Sequence, residues 1–503
     1  MSVKRKSNID DSSEKCVIIA DSDSVDPSDN DSDGSDIVLP VRKCPRKLII
    51  EDDTDDEDSI NHQLSKQWIW KEESNKPKIW EYMQTPGIGV AILDQLGRSK
   101  RELDFLYIMF DNVFWDNIVT ETNRYAEQTI IDENKKKKID ETWIPVNSNE
   151  IKIYFALCII MVQVKKPKIQ MNWSKRAIIE TPIFRKTMPL KRFLQITRFF
   201  HFANNDMTDK MDKLREVTPV INCFNKKFKE VYVMEENIAI DESLMKFKGR
   251  MSYRQFNPSK RARFGIKFYK LCESASGYCY NFKIYSRKDK TDLDYSASET
   301  VVMELSKSIL NKGRTLYIDN WYSSPKLFLT LVENGTNVGT VRFNRKNMPG
   351  DFVKAKLKKG ECRIRSCNGI LALKWKDKQD VHILSTKHES VEMTEQNGSQ
   401  LTPTFKPKCI VDYNRGMIGI DRKDQILAGF PVMRKYLKGY RKIFSHIFDM
   451  ALFNSYILYN KNNMEKKRNY TEYRLQTAEA LLQNVPSQDY KRRGPLSRTE
   501  IYQ

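Results

Sequence analysis

Three short segments hold residues that could do chemistry together: Ile240-Asp241-Glu242, Tyr317-Ile318-Asp319-Asn320 and Gly419-Ile420-Asp421. The Ile-Asp dipeptide occurs six times in the chain, also ending at Asp10, Asp132 and Asp140, so the letters alone decide nothing. Position does. Asp241 falls on one predicted strand and Asp319 at the end of a later one; where two such strands lie side by side, the carboxylates face each other. Adjacent carboxylates repel unless a cation lies between them, and a site of oxygen ligands suits Mg²⁺. Asp421 and Asp424, three residues apart just ahead of a long C-terminal helical pattern, stand where one or both could close the site. Any one of these acids alone reads as an ordinary strand-end or cap carboxylate. The three in this order point to a metal site.

Beside the first carboxylate lies the densest basic stretch of the chain. Lys246, Lys248, Arg250, Arg254, Lys260, Arg261, Arg263, Lys267 and Lys270 give nine cations in 25 residues, with no acid among them. Phe247, Tyr253, Phe256, Phe264, Phe268 and Tyr269 interleave them. Cations of this density suit phosphate neutralisation, and aromatic faces can hold unstacked bases. A solvated strand edge rich in lysine is the plainer alternative; the purity of the run and its neighbouring acids favour nucleic acid. Weaker basic clusters occur at Arg434 to Lys442, Lys466 to Arg468 and Lys491 to Arg493. No Cys-x-x-Cys is present, the closest spacings being Cys272/Cys279 and Cys362/Cys367, so no zinc is expected. Nor does a P-loop or dinucleotide fingerprint occur, which argues against an NTP-driven motor.

Charge is unevenly shared. The 503 residues carry a formal +20, yet residues 1–60 hold 17 acids and 8 bases, a net of −9, which leaves +29 on the remainder. The acidic lead repeats Asp-Ser units and is poor in apolar residues, so it predicts a disordered acidic tail over residues 1–75. The body's field suits a polyanion. The longest uncharged apolar stretch, Ile153 to Val162, falls short of the roughly 18 residues that span a bilayer, so no membrane partner is expected. Nine cysteines without dense spacing read as reduced thiols.

The elements that must position the acids follow from periodicity. Apolar residues recur at helical spacing from Phe105 to Tyr125 (Phe105, Leu106, Met109, Phe110, Val113, Phe114), over Ile151 to Val164, and over Lys191 to Phe202. Residues 76–235 therefore read as a mainly helical domain. The period then changes: Asn237 to Phe247, Phe264 to Cys272 and Tyr278 to Tyr285 read as strands, the last two joined by a turn at Gly277. A helix over Ser296 to Leu310, a strand at Thr315 to Asp319 and another at Asn337 to Phe343 complete the order of a ribonuclease-H-like α/β core over residues 236–345. Residues 346–410, Lys-rich with short strands, read as an insertion subdomain. Residues 411–430 return to the core with the third Asp, residues 431–490 are helical again, and residues 491–503 form a basic tail.

At these residues the chain resembles the piggyBac family of DNA transposases and their domesticated relatives. The resemblance rests on Thr122-Asn-Arg-Tyr125, Arg192-Phe-Leu with His201-Phe202, Asn237-Ile-Ala-Ile-Asp-Glu-Ser-Leu-Met-Lys-Phe-Lys-Gly-Arg250 and Lys260-Arg-Ala-Arg-Phe-Gly-Ile-Lys267. Leu271-Cys-Glu-Ser274, Asp319-Asn-Trp321, Asp412-Tyr-Asn, Gly419-Ile-Asp-Arg-Lys-Asp-Gln425 and Leu452-Phe-Asn-Ser-Tyr456 extend it over roughly residues 100–485. It implies that Asp241, Asp319 and Asp421 form the catalytic, metal-holding triad with Asp424 assisting, and that Trp321 joins the basic run in contacting DNA. It further implies two Mg²⁺ ions, excision through hairpin ends and insertion of double-stranded DNA at TTAA, a homodimer, and work in the nucleus. A dimerisation and DNA-binding domain would be built from both helical parts. Lys135–Lys138 or Lys491–Arg493 would serve as import signals. The family's C-terminal Cys/His-rich zinc domain has no counterpart before Gln503. Two readings stay open: an active Mg²⁺-dependent transposase, and a domesticated nuclear DNA-binding protein without strand transfer.

Overall fold

The computed structural model describes residues 68–96, 100–131, 143–258, 263–286, 295–396, 404–432, 438–486 and 490. Residues 1–67 of the expected tail, Lys135–Lys138, Lys260, Arg261, Arg434 and Lys491–Arg493 lie outside the described residues. The last part of that tail is not disordered: Lys71 exchanges backbone bonds of 3.0 and 2.9 Å with Ser366, Trp70 donates to the Asn347 carbonyl and Asn75 is buried.

A helical layer comes first. β1 (Gly87–Ile88) and α1 (Val90–Leu96) precede α2 (Glu102–Met109), α3 (Asn112–Ile131), α4 (Ser148–Val164), α5 (Pro182–Thr187), α6 (Leu190–Phe199) and α7 (Thr218–Val231). β2 (Tyr232–Val233) pairs antiparallel with β1. The single apolar stripe expected from Phe105 to Tyr125 is two helices. The Asp111 side chain accepts from the Phe114 amide at 2.9 Å and starts α3 afresh. The register of the stripe shifts there, which turns Val113 outward, 68% exposed. α4 begins where Asn147 accepts from the Glu150 amide at 2.9 Å. α6 buries Phe193, Ile196 and Phe199, and Phe200 follows them inside, as the helical spacing requires.

The sheet follows: β3 (Asn237–Lys246), β4 (Gln255–Phe256), β5 (Phe264–Glu273), β6 (Cys279–Ile284), α8 (Ala297–Ser306), β7 (Thr315–Ile318), α9 (Pro325–Val332) and β8 (Thr336–Thr340). β5 runs antiparallel between β3 and β6, whereas β3, β7 and β8 are parallel neighbours. The strand order β6-β5-β3-β7-β8 is the ribonuclease-H-like order. Gly277 turns β5 into β6 at φ +75°, a conformation that favours glycine. The crossover α9, capped by Ser324 with Pro325 in its first turn, was not expected from the sequence.

α10 (Gly350–Lys354), β9 (Cys362–Cys367), β10 (Ile370–Lys376) and β11 (Asp380–Ser385) occupy the stretch read as an insertion. β11 pairs antiparallel with β8, so β9–β11 prolong the same nine-stranded sheet. β12 (Met393–Gln396) and β13 (Thr404–Pro407) form a separate hairpin. The chain ends in α11 (Lys408–Gly429), α12 (Gly439–Asn462) and α13 (Tyr470–Asn484). α12 returns to the first helical layer, with the Phe448 ring 4.7 Å from that of Phe110 and 4.6 Å from that of Phe155. No helix among the described residues is long and apolar enough to cross a membrane.

Candidate active site

Backbone pairing alone brings the first two acids together. β3 and β7 are in parallel register with Ile240 opposite Ile318, so Asp241 and Asp319 are the next residues on adjacent strands. One carboxylate oxygen from each, and one from Glu242, all lie within 4.8 Å of one another. Asp241 turns one oxygen to the Glu242 amide at 2.7 Å, and Asp319 accepts from the Trp321 amide at 2.9 Å. This donor set is carboxylate oxygen throughout, as a hard divalent cation requires, and Glu242 Oε2 is buried with no hydrogen-bond partner. The residues therefore fit a divalent ion.

Asp421 and Asp424 do stand ahead of the long C-terminal helix α12, but inside a helix of their own, α11. This helix lies close against the sheet. A Cβ on Gly416 would come 2.3 Å from the Tyr317 ring of β7, and one on Gly419 equally close to the Ser274 carbonyl. Asp421 is exposed and is not among the three clustered acids. It nonetheless belongs to the same field. Burial raises the Tyr413 hydroxyl pKa against its hydrogen bond to Thr340, and the charges of Asp319, Asp241 and Asp421 add to the rise. Asp424 is tied down instead: Lys270 Nζ donates to it at 2.7 Å. Lys270 faces Asp241 across the β3–β5 pair and is fully buried, so it is no solvent-facing member of the basic run.

The rest of that run behaves differently. Lys246, Lys248, Arg250 and Arg263 are exposed, on the end of β3 and the loop that leads to β5. Arg254 is half-buried, donating to the Lys248 carbonyl at 3.0 Å and lying 4.8 Å over the Phe264 ring. Most of the interleaved aromatics turn inward rather than offering free faces, Phe256 and Phe264 staying half-buried. Phe247, Tyr253, Phe268 and Tyr269 are buried. A loop with so little regular structure needs such anchors, and Phe247 is held against the first turn of α12, under Lys442. Trp321 is half-buried and stacked on Tyr269 at 5.7 Å, with the Lys267 ammonium 4.6 Å from its ring centre. It stands two residues from Asp319.

Sequence reasoning missed three members of this neighbourhood. Glu242 is adjacent to Asp241, and strand alternation alone would send it to the opposite face. Tyr322 is fully buried, and burial and then the carboxylates of Glu242, Asp241 and Asp319 push its hydroxyl well above the usual tyrosine range. Lys270 looked like one cation among nine. Only the Asp-Glu dipeptide carried a signal, and a weak one.

Comparisons with known proteins bear on the family and the fold. A family model described as transposase IS4 matches residues 101–456. The human piggyBac transposable element-derived protein 2 is 24% identical over 413 residues, covering 78% of this chain and 67% of that protein. The human piggyBac transposable element-derived protein 3 is 25% identical over 344 residues, 65% of this chain, which spans 58% of that relative's length. Among solved structures, a piggyBac transposase synaptic complex with hairpin DNA, determined by cryo-EM, matches with a TM-score of 0.71. It is 21% identical, and the match covers 83% of this chain and 86% of that one. Identity at that level speaks for the fold. With the family model spanning well over half of its length, the chain belongs to the transposase IS4 family, in its piggyBac-type branch.

Proposed function

We propose that this chain is a metal-dependent DNA transposase whose site is formed by Asp241, Asp319 and Asp421. The observation that carries this reading is the adjacency of Asp241 and Asp319 on parallel strands, in an all-carboxylate cluster beside an exposed basic loop. Divalent ions held there, Mg²⁺ by expectation and two in number, would supply Lewis-acid activation of the attacking and leaving oxygens at phosphorus. The chain's own residues do the rest. Asp241 and Asp319 fix the ion position from a backbone ladder, and Asp421 approaches from α11. Lys246, Lys248, Arg250 and Arg263 neutralise backbone phosphates, and the Trp321–Tyr269–Lys267 stack borders the scissile position. Double-stranded transposon ends, cleaved through hairpins and joined at TTAA, are the substrate; a nuclear homodimer is the working form.

Plasmid excision tests this directly. The wild type should release an element carrying piggyBac-type ends only with Mg²⁺ present, and Asp319→Asn should abolish release. Equal excision by both proteins would refute the assignment. A second reading draws support from the relatives, which are named as element-derived proteins: a domesticated DNA-binding nuclear protein without strand transfer. It expects salt-steep DNA binding that survives Asp241→Ala, and Mg²⁺-dependent cleavage of element ends would exclude it.

A further inference from the structure

At the end of β7 the sheet opens into a notch. β3 continues to Lys246, but its pairing with β7 stops at Ile240 opposite Ile318. On a regular strand Asp241 and Glu242 would point to opposite faces. Where the neighbouring strand has ended, the two side chains instead converge on Asp319, within 4.8 Å. Glu242 stands in register with Tyr269, whose ring lies 6.4 Å from that of Tyr322, so Tyr322 approaches the notch from the Glu242 side.

Two unpaired buried groups lie near the notch. The Tyr322 hydroxyl is completely buried and has no hydrogen-bond partner, and Glu242 Oε2 is a buried acceptor without a donor. A buried polar group left without a partner destabilises the fold. One orphan is a donor and the other an acceptor, in the same charged recess. Asp421, meanwhile, is exposed on α11 and outside the cluster.

Resting on the metal-site reading above, we propose that Glu242 is a further ligand of the divalent cation beside Asp241 and Asp319, and that Tyr322 orients its carboxylate. In this arrangement Glu242 presents one oxygen to the ion, and the Tyr322 hydroxyl donates to the other. Tyr322 is a positioning residue. It fixes the carboxylate much as outer partners fix metal ligands elsewhere, where their loss costs about 10- to 100-fold in metal affinity.

The test uses the full chain and Mn²⁺ alone, with free Mn²⁺ followed by electron paramagnetic resonance. Glu242→Gln should weaken Mn²⁺ binding by at least about tenfold, and Tyr322→Phe, which keeps the buried ring, by about tenfold. Without metal, Glu242→Gln should melt no lower than the wild type, since it removes one of three crowded charges. Where Gln disturbs folding, Glu242→Asp keeps the charge, shortens the reach and should still weaken binding severalfold. Wild-type affinity in a folded Glu242 variant overturns the ligand assignment, and wild-type affinity in Tyr322→Phe overturns the positioning role. Asp319→Asn separates the two levels. If it loses Mn²⁺ while the Glu242 variants keep it, only the present inference fails; if it too binds normally, the carboxylate site itself is refuted.

Discussion

Glu150 and Glu242 are both acids drawn inside this chain, and the fold treats them in opposite ways. Glu150, in the first turn of α4, is wholly buried, and Arg192 of α6 grips it with two bonds of 2.7 and 2.6 Å. Tyr490 adds a third at 3.1 Å. Glu242 stands among two further carboxylates, with one oxygen lacking any donor. Two like charges 4 Å apart repel by about 4 kcal/mol at an effective dielectric constant of 20. Where a buried charge is structural, a neighbouring helix supplies a geometrically matched cation. Where acids are crowded together, that repulsion becomes a bias toward binding a divalent ion.

The contrast can be broken or sharpened by substitution. The largest effect belongs to Asp319→Asn, which should slow DNA cleavage by about 1,000-fold or more, roughly 4 kcal/mol of barrier, in a single-turnover assay. Its metal-free melting temperature should hold or rise; a fall would make the notch as structural as the Glu150 site. Next comes Glu150→Ala, which strands Arg192 and should cost about 3–5 kcal/mol in urea unfolding. A loss below about 1 kcal/mol would erase the comparison. Asp424→Ala removes the anion facing fully buried Lys270, but Asp424 itself is partly exposed, so about 2 kcal/mol is expected by the same measurement.

The smallest effect tests a third solution, neutrality. Burial, opposed by the hydrogen bond to Asn205, brings the His201 pKa down to about 4. The unfolded chain takes up this proton near pH 6.5 and the folded chain only near pH 4. Stability from His201 is therefore present above about pH 6.5 and lost as pH falls toward 4, amounting to about 2 kcal/mol between pH 7 and 5. Urea midpoints for the wild type and His201→Gln at those two pH values would show it; parallel shifts in both would contradict it.

Some of this was legible in the sequence and some was not, for physical reasons. Ile238 and Ile240 mark β3 by alternation, and element order placed β7 beside it, so the Asp241–Asp319 pair could be read in advance. Glu242 could not, because alternation assigns it to the face opposite Asp241, and its approach to Asp319 depends on where β7 ends, which local pattern does not encode. α11 was hidden by Gly416 and Gly419, which weaken a helical signal yet are required where the helix backbone meets Tyr317 and Ser274. Lys270 was misread because a lysine among lysines carries no mark of burial; its register with Asp241 and its bond to Asp424 are long-range facts. The aromatics of the basic run were misjudged similarly. Alternation with cations looks like a base-stacking surface, but the same pattern serves a loop whose rings are its anchors. Short strands were expected at Gly369–Trp375 and Asp380–Leu384, but neither β9 nor the union of β11 with β8 was, since that union depends on pairing that local periodicity does not encode.

The meeting of Phe448 with Phe110 and Phe155 has a consequence in time. The three rings belong to one cluster, yet about 300 residues separate the first pair from the last. At roughly 5–20 residues per second on the ribosome, α2–α4 emerge and then wait on the order of 15–60 seconds for α12. Throughout that interval an aromatic face stays uncovered, while the intervening sheet can already pair. Nascent chains halted before residue 440 should therefore be the ones most dependent on holding chaperones.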